Sequence, residues 1–152
     1  MKDLRIVRTN SENTDFRDLV VLLDKELSIR DGDDYSFYAQ FNKLDEINHV
    51  VVIYSRDLAI GCGGIKRFDD KTVEIKRMYV RKEFRGHGVA IKILDELESW
   101  AFEVGFETAV LETGYNQPEA IRLYQKTNYR MIENYGQYAD VENSICMKKQ
   151  LK

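Results

Sequence analysis

Proline occurs once in these 152 residues, at Pro118, and no Pro-, Gly- or Ser-rich stretch marks a linker. Nothing therefore divides the chain, and residues 1–152 read as one domain with room for a proper core. Cysteine is nearly as scarce. Cys62 and Cys146 lie in strand-like segments without metal-ligand spacing. That excludes a disulfide framework and a cysteine metal site, and the expectation is a reduced, cytoplasmic protein with no metal. No apolar run is long enough to span a membrane, and Met1-Lys2-Asp3-Leu4-Arg5 has no signal-like apolar core, so no membrane partner is expected. Basic residues are not in excess: 23 Lys and Arg face 26 Asp and Glu, a formal net charge of −3. General nucleic-acid binding, which favours basic patches, is not expected. Repeats and low-complexity tracts are absent too.

Hydrophobic periodicity supplies the organisation. Leu4 to Arg8 reads as a first strand. Asn13-Thr14-Asp15 caps a helix with Phe16, Leu19, Leu23 and Leu27 on its apolar face. Tyr35 to Leu44 reads as a second, short helix after an acidic turn at Arg30 to Asp34. His49 to Tyr54 and Ala59 to Phe68 form a hairpin about Ser55-Arg56-Asp57, and Lys71 to Val80 continues the sheet. Gly88 to Val104 is a central helix with Val89, Ile93, Leu97, Trp100 and Val104 at helical spacing, stopped by Gly105. Thr108 to Thr113 is a buried strand and Pro118 to Lys126 a helix; Tyr129 to Glu133 and Ser144 to Lys149 close the sheet. The fold class is α/β (α+β in some schemes): a central, twisted, mixed but mostly antiparallel sheet flanked by helices.

The most informative stretch is Arg85-Gly86-His87-Gly88-Val89-Ala90, between a strand and the central helix. A glycine turn there points backbone N–H groups outward at the positive end of a helix dipole, an arrangement that binds phosphate or pyrophosphate. Val89-Ala90 stands where a nucleotide-hydrolysing loop needs Lys followed by Ser or Thr, and the turn lies too late in the chain for a dinucleotide fingerprint. The pattern Arg85-x-x-Gly88-x-Ala90, preceded by Met78-Tyr79-Val80-Arg81, resembles the acyl-CoA motif of the GNAT superfamily of N-acetyltransferases, Gln/Arg-x-x-Gly-x-Gly/Ala. A second segment, Asn116 to Lys126, resembles that family's Asn-x-x-Ala-x-x-x-Tyr, with Asn116, Ala120 and Tyr124. It begins 26 residues after Ala90 and ends in Asn128-Tyr129 where the family usually has Gly-Phe. Asparagine is the next-best residue for a left-handed helix stop.

The resemblance, which covers nearly the whole chain, implies an acetyl-CoA-dependent N-acetyltransferase working by direct transfer. The amides of Gly86, His87, Gly88, Val89 and Ala90 would hold the pyrophosphate, with Arg85 and Lys82 adding charge. His87 fills a variable position and is not expected to do chemistry. Backbone groups of Met78, Tyr79 and Val80 would pair with the pantetheine arm, the Val80 N–H also polarising the thioester carbonyl. That requires the strands of Val80 and Val110 to splay. Asn116 would contact the same arm and cap the next helix, with Glu119 at capping-box distance; Ala120 lies on the same segment.

Acetylating an amine requires removing a proton from an ammonium of pKa about 10.4 and protonating a leaving thiolate. Glu74, six residues before Val80, stands where several family members carry a general base, although an alternating strand could equally expose it. Glu112 is the second candidate, since burial on a strand would raise its pKa. Tyr124 would be the general acid. Cys62 reads as core rather than nucleophile. The acceptor is expected to be a small amine: Glu26, Asp31, Asp33 and Asp34 beside Tyr35, Phe37, Tyr38 and Phe41 suit a cation. The segment Tyr135-Gly136-Gln137-Tyr138 would cover the acceptor cleft or build a homodimer contact. A protein amine as acceptor, a non-catalytic acyl-CoA sensor and a nucleotide-phosphate binder are the alternatives.

Overall fold

The computed structural model describes residues 3–32, 43, 44 and 46–151. The helix expected over 35–44 falls for the most part outside them, as do Asp33, Asp34, Tyr35, Phe37, Tyr38 and Phe41 of the expected acceptor rim. In chain order the elements are β1 (Leu4–Thr9), α1 (Thr14–Asp31), β2 (His49–Ser55), β3 (Leu58–Arg67), β4 (Thr72–Val80), α2 (Val89–Glu103), β5 (Thr108–Gly114), α3 (Pro118–Lys126), β6 (Arg130–Ile132) and β7 (Ser144–Gln150). Seven strands form one sheet in the order β1-β2-β3-β4-β5-β7-β6. Among the described residues only β4 and β5 run parallel, and the other pairs are antiparallel.

Both faces of the sheet are covered, which explains why β2 is apolar without alternation. Val50 and Val52 pack with Phe16, Leu19 and Leu23 of α1, whereas Val51 and Ile53 pack with Ile93, Leu94 and Leu97 of α2. Asn13 caps α1 as expected, its Oδ1 accepting the Phe16 N–H at 2.9 Å. The α2 stripe is Val89, Ile93, Leu94, Leu97 and Ala101. Val104 is not part of it: it caps the helix and is exposed, one position ahead of Gly105 at φ 106°. The Phe106 N–H then reaches the Ala101 carbonyl and the Gly105 N–H the Phe102 carbonyl, a Schellman stop. Among the described residues no helix is long and apolar enough to cross a membrane.

One irregularity shapes everything downstream. Cys62 pairs with Tyr79 and Gly64 with Lys76, so Arg77 and Met78 of β4 face Gly63 alone. This is a β-bulge, and Arg77 sits in it at φ 60°. Gly63 is required by close approach: an added Cβ would lie 2.5 Å from Met78 Sδ and 3.0 Å from both Ile93 Cγ2 and Leu97 Cδ1. Gly63→Ala is therefore expected to cost about 1–3 kcal/mol, the range for overpacking a filled core. Urea titration checks it; an unshifted midpoint would show that Met78 and α2 yield freely.

Candidate active site

β4 and β5 pair only at Thr72/Thr108, Val73/Ala109 and Glu74/Val110. Beyond that point β4 continues to Val80 and β5 to Gly114 with no further pairs between them, so the two strands splay. A cavity of about 120 Å³ opens there, lined by β4 and β5, by Leu23, Leu27 and Asp31 of α1 on one face, and by Ala120 and Tyr124 of α3 on the other. The slot passes through the sheet. The Arg81 N–H donates to the Ile60 carbonyl at 2.8 Å, which makes Val80/Gly61 a non-hydrogen-bonded pair. The Val80 N–H and carbonyl therefore face away from β3, towards the splay, and the carbonyl accepts from Arg85 Nε at 2.8 Å.

The strand runs through a 3₁₀ turn, Lys82 to Phe84, into the glycine loop. Gly86 and Gly88 hold φ 83° and 78°, left-handed values that a side chain would strain. The first helical bond of α2 is Lys92 N–H to the Gly88 carbonyl, so the N–H groups of Val89, Ala90 and Ile91 have no intrahelical partner. No acidic side chain stands in that first turn to compete for them. His87 is exposed on the loop. Arg85 behaves differently from a free phosphate ligand: its guanidinium makes two bonds to Glu26, at 3.0 and 2.8 Å. Glu26 also meets Arg30, which reaches Glu119 of α3. Glu26 thus belongs to the loop's ion pairs and does not line this cavity.

On the α3 side, Ala120 and Tyr124 lie one turn apart on one face. Tyr124 is buried, packs edge-on to Tyr129, and its hydroxyl makes no hydrogen bond among the described residues. Burial raises its pKa, so the phenol keeps its proton. Asn116 needs correction as a cap. Gln117 is the N-cap residue, without a side-chain bond, and lines the cavity; Asn116 is exposed one residue earlier. Two residues separate the family's asparagine from its alanine, and counting back three positions from Ala120 reaches Gln117. Asn128 stops the helix at φ 77°, as expected.

On the α1 side the two carboxylates differ. Glu74 is 3% exposed rather than solvated, accepts the Tyr135 hydroxyl at 2.7 Å, and does not line the cavity. Glu112 does line it, accepting the Ser144 hydroxyl at 2.7 Å. Burial pushes its carboxyl up to about 7, opposed by the Ser144 bond and the Lys76 charge. Of the Tyr135–Tyr138 segment, Tyr138 lines the cavity too. Lys76 is the residue that sequence reading missed. Its spacing of two from Glu74 puts both on one face of β4, but only the packed fold shows that face to be buried. Burial pushes the Cys62 and Cys146 thiols up to about 12 and about 11, far from thiolate. Among the described residues no cluster of His, Cys, Asp and Glu could hold a metal ion.

The Glu112 shift has a stability signature. A carboxyl that ionises at 4.5 when unfolded and near 7 when folded binds its proton more tightly in the native state. Its contribution is most favourable below 4.5 and is lost as pH rises to 7, about 3 kcal/mol in all. Glu112→Gln should accordingly gain stability relative to the parent between pH 5 and 7.5 and level off above. Urea titrations across that range check it; a pH-independent difference would mean that Glu112 ionises normally.

Known proteins place this architecture. The profile of the acetyltransferase (GNAT) family matches residues 15–129, more than half of the chain. A protein of Azospirillum brasilense named IAA acetyltransferase is 29% identical over 151 residues, covering 94% of this chain and 97% of that one. A candidate acyl-CoA N-acyltransferase of Klebsiella pneumoniae superposes with a TM-score of 0.82 at 26% identity, covering 98% of both chains. A GNAT acetyltransferase of Elizabethkingia anophelis, solved with acetyl-CoA bound, shares the fold at a TM-score of 0.74 and 18% identity over 99% of this chain and 100% of its own. Profile, fold, glycine loop and splayed strands agree: the chain belongs to the GNAT family of acetyltransferases.

Proposed function

We propose that this acetyltransferase moves the acetyl group of acetyl-CoA directly to the amine of a small acceptor, both substrates being bound together. The observation that carries the reading is the slot between β4 and β5, with a protonated phenol on its α3 side and a carboxyl poised near neutrality on its α1 side. The residues present fit the cosubstrate. The free amides at the start of α2 suit a pyrophosphate, and the Val80 N–H, turned towards the splay, suits a carbonyl of an extended arm. Acetyl-CoA supplies the activated acyl carbon. Everything else falls to the chain.

Glu112, ionised in part at neutral pH, takes the proton from the acceptor ammonium, directly or through a water. The neutral nitrogen then forms its bond to the acyl carbon as the carbon–sulfur bond breaks. The Val80 N–H steadies the charge gathering on the carbonyl oxygen. Tyr124, held protonated, gives its proton to the departing sulfur, and the second proton shed by the newly acylated nitrogen restores the phenol through water. Glu74 accepts the Tyr135 hydroxyl, and its charge adds to the upward push on the Glu112 carboxyl. Neither cysteine offers a thiolate, which favours direct transfer over an acyl-enzyme. The mixed acidic and basic lining of the cavity suits a small charged acceptor, and two free cysteines suit the cytoplasm.

Thermal melts with acetyl-CoA, ATP and NAD test the first step. Ligand at a hundred times its dissociation constant adds about 2.7 kcal/mol, hence roughly 5–10 °C for a chain of this size. Only acetyl-CoA should produce the shift, and Gly88→Glu, which adds a side chain and a negative charge to the cradle, should abolish it. In steady-state assays Tyr124→Phe should lower turnover while leaving the acetyl-CoA shift nearly intact, and Glu112→Gln should lower kcat/KM by about 10²–10⁴-fold. No shift at millimolar acetyl-CoA would remove the cosubstrate, and unchanged rates in both variants would remove their assigned roles.

A further inference from the structure

Among the described residues, one cation of the cavity has nothing to hold. Lys76 is 8% exposed, lines the slot, and its ammonium makes no hydrogen bond or ion pair with a described residue. A buried charge without a partner is costly, so a partner is expected when the site is filled. Four described acids of this region are engaged elsewhere. Glu74 accepts Tyr135, Glu112 accepts Ser144, Glu46 holds Lys66 at 2.7 Å and Asp24 holds Arg77 at 2.6 Å. Burial pushes the Lys76 pKa down while Glu74 and Glu112 push it back up, all without contact.

A second cation reinforces the first. Arg77 is 6% exposed, lines the same cavity, and leaves its Nε–H without a partner. That atom is sealed from the cavity, so Arg77 adds positive field rather than a bond. Asp31 and Glu112 line the cavity as well, and it therefore carries acidic and basic groups together. Such a lining does not match the simple cation that the acidic sequence suggests. It matches a molecule bearing both charges.

We propose that the acceptor is an amino acid in the broad sense, an amine with a carboxylate close by, and that Lys76 binds that carboxylate while Glu112 faces the amine. The proposal rests on the acetyltransferase reading above. It makes Lys76 a specificity residue that touches substrate.

The test uses the full chain with acetyl-CoA and a panel of α- and β-amino acids, each beside its decarboxylated amine and its methyl ester, following thiol release. At least one amino acid should exceed both counterparts in kcat/KM by tenfold or more, chiefly through KM. In Lys76→Met that ratio should fall to near one, with Lys76→Arg restoring part of it. Lys76→Met removes a buried charge and should melt no lower than the parent; if it fails to fold, the parent's own preference still decides. Equal or reversed preference in the parent would overturn the proposal, as would a preference that survives in folded Lys76→Met. Turnover of no amino acid in the panel, while acetyl-CoA still raises the melting point, would also overturn it. Absence of any acetyl-CoA shift would strike the transferase reading instead.

Discussion

Backbone amides inside a sheet need partners, and this sheet withholds them along one seam. β4 and β5 stop pairing after Glu74/Val110 although both strands continue. Unpaired N–H and carbonyl groups within a covered sheet are costly unless water or a ligand meets them. The seam is therefore where the proposed acyl carrier, extended and with amides of its own, would find partners. Nearly every other feature of the molecule either creates that seam or furnishes it.

The bulge at Arg77 and Met78 bends β4 just past its last β5 pair, and Gly63 makes room for the displaced Met78 side chain. The antiparallel partners β3 and β7 hold the outer edges of the two splayed strands, so the sheet parts without unravelling. Beyond Val80 the glycine loop delivers the chain to the start of α2, whose unpaired amides face the same region. Two helices from opposite faces complete the slot: α3 brings Tyr124 and α1 brings Asp31, with Tyr138 covering the latter side. The two faces differ chemically. One presents a neutral phenol, the other a mixed set of carboxylates and cations.

The fold was largely legible because its elements announce themselves through period and punctuation. Asn13, Gly105 and Asn128 mark helix ends through properties of their own side chains or their tolerance of left-handed backbone, and such local signals survive translation into structure. The glycine loop was legible for the same reason. Burial was not. Glu74 and Glu112 read alike in the sequence, and only packing separates them, since Tyr135 closes over one while the other opens to the cavity. Lys76 was invisible because a lysine on an alternating strand normally faces water. The register of the second motif also slipped: asparagine at 116 drew attention from Gln117, which occupies the helix-cap position. The ion pairs of Glu26 were equally hidden, because its partners, Arg85 and Arg30, are set by the packing of α1 and the loop.

The most direct test of the central claim, that the β4–β5 seam holds the acyl carrier between Tyr124 and Glu112, is a crystal structure of the chain with bound acetyl-CoA. The account predicts pyrophosphate oxygens on the amides of Gly86 to Ala90, the extended arm along Val80, and the sulfur within hydrogen-bonding reach of the Tyr124 hydroxyl. Cofactor density on another surface, or a sulfur well removed from Tyr124 and Glu112, would contradict it.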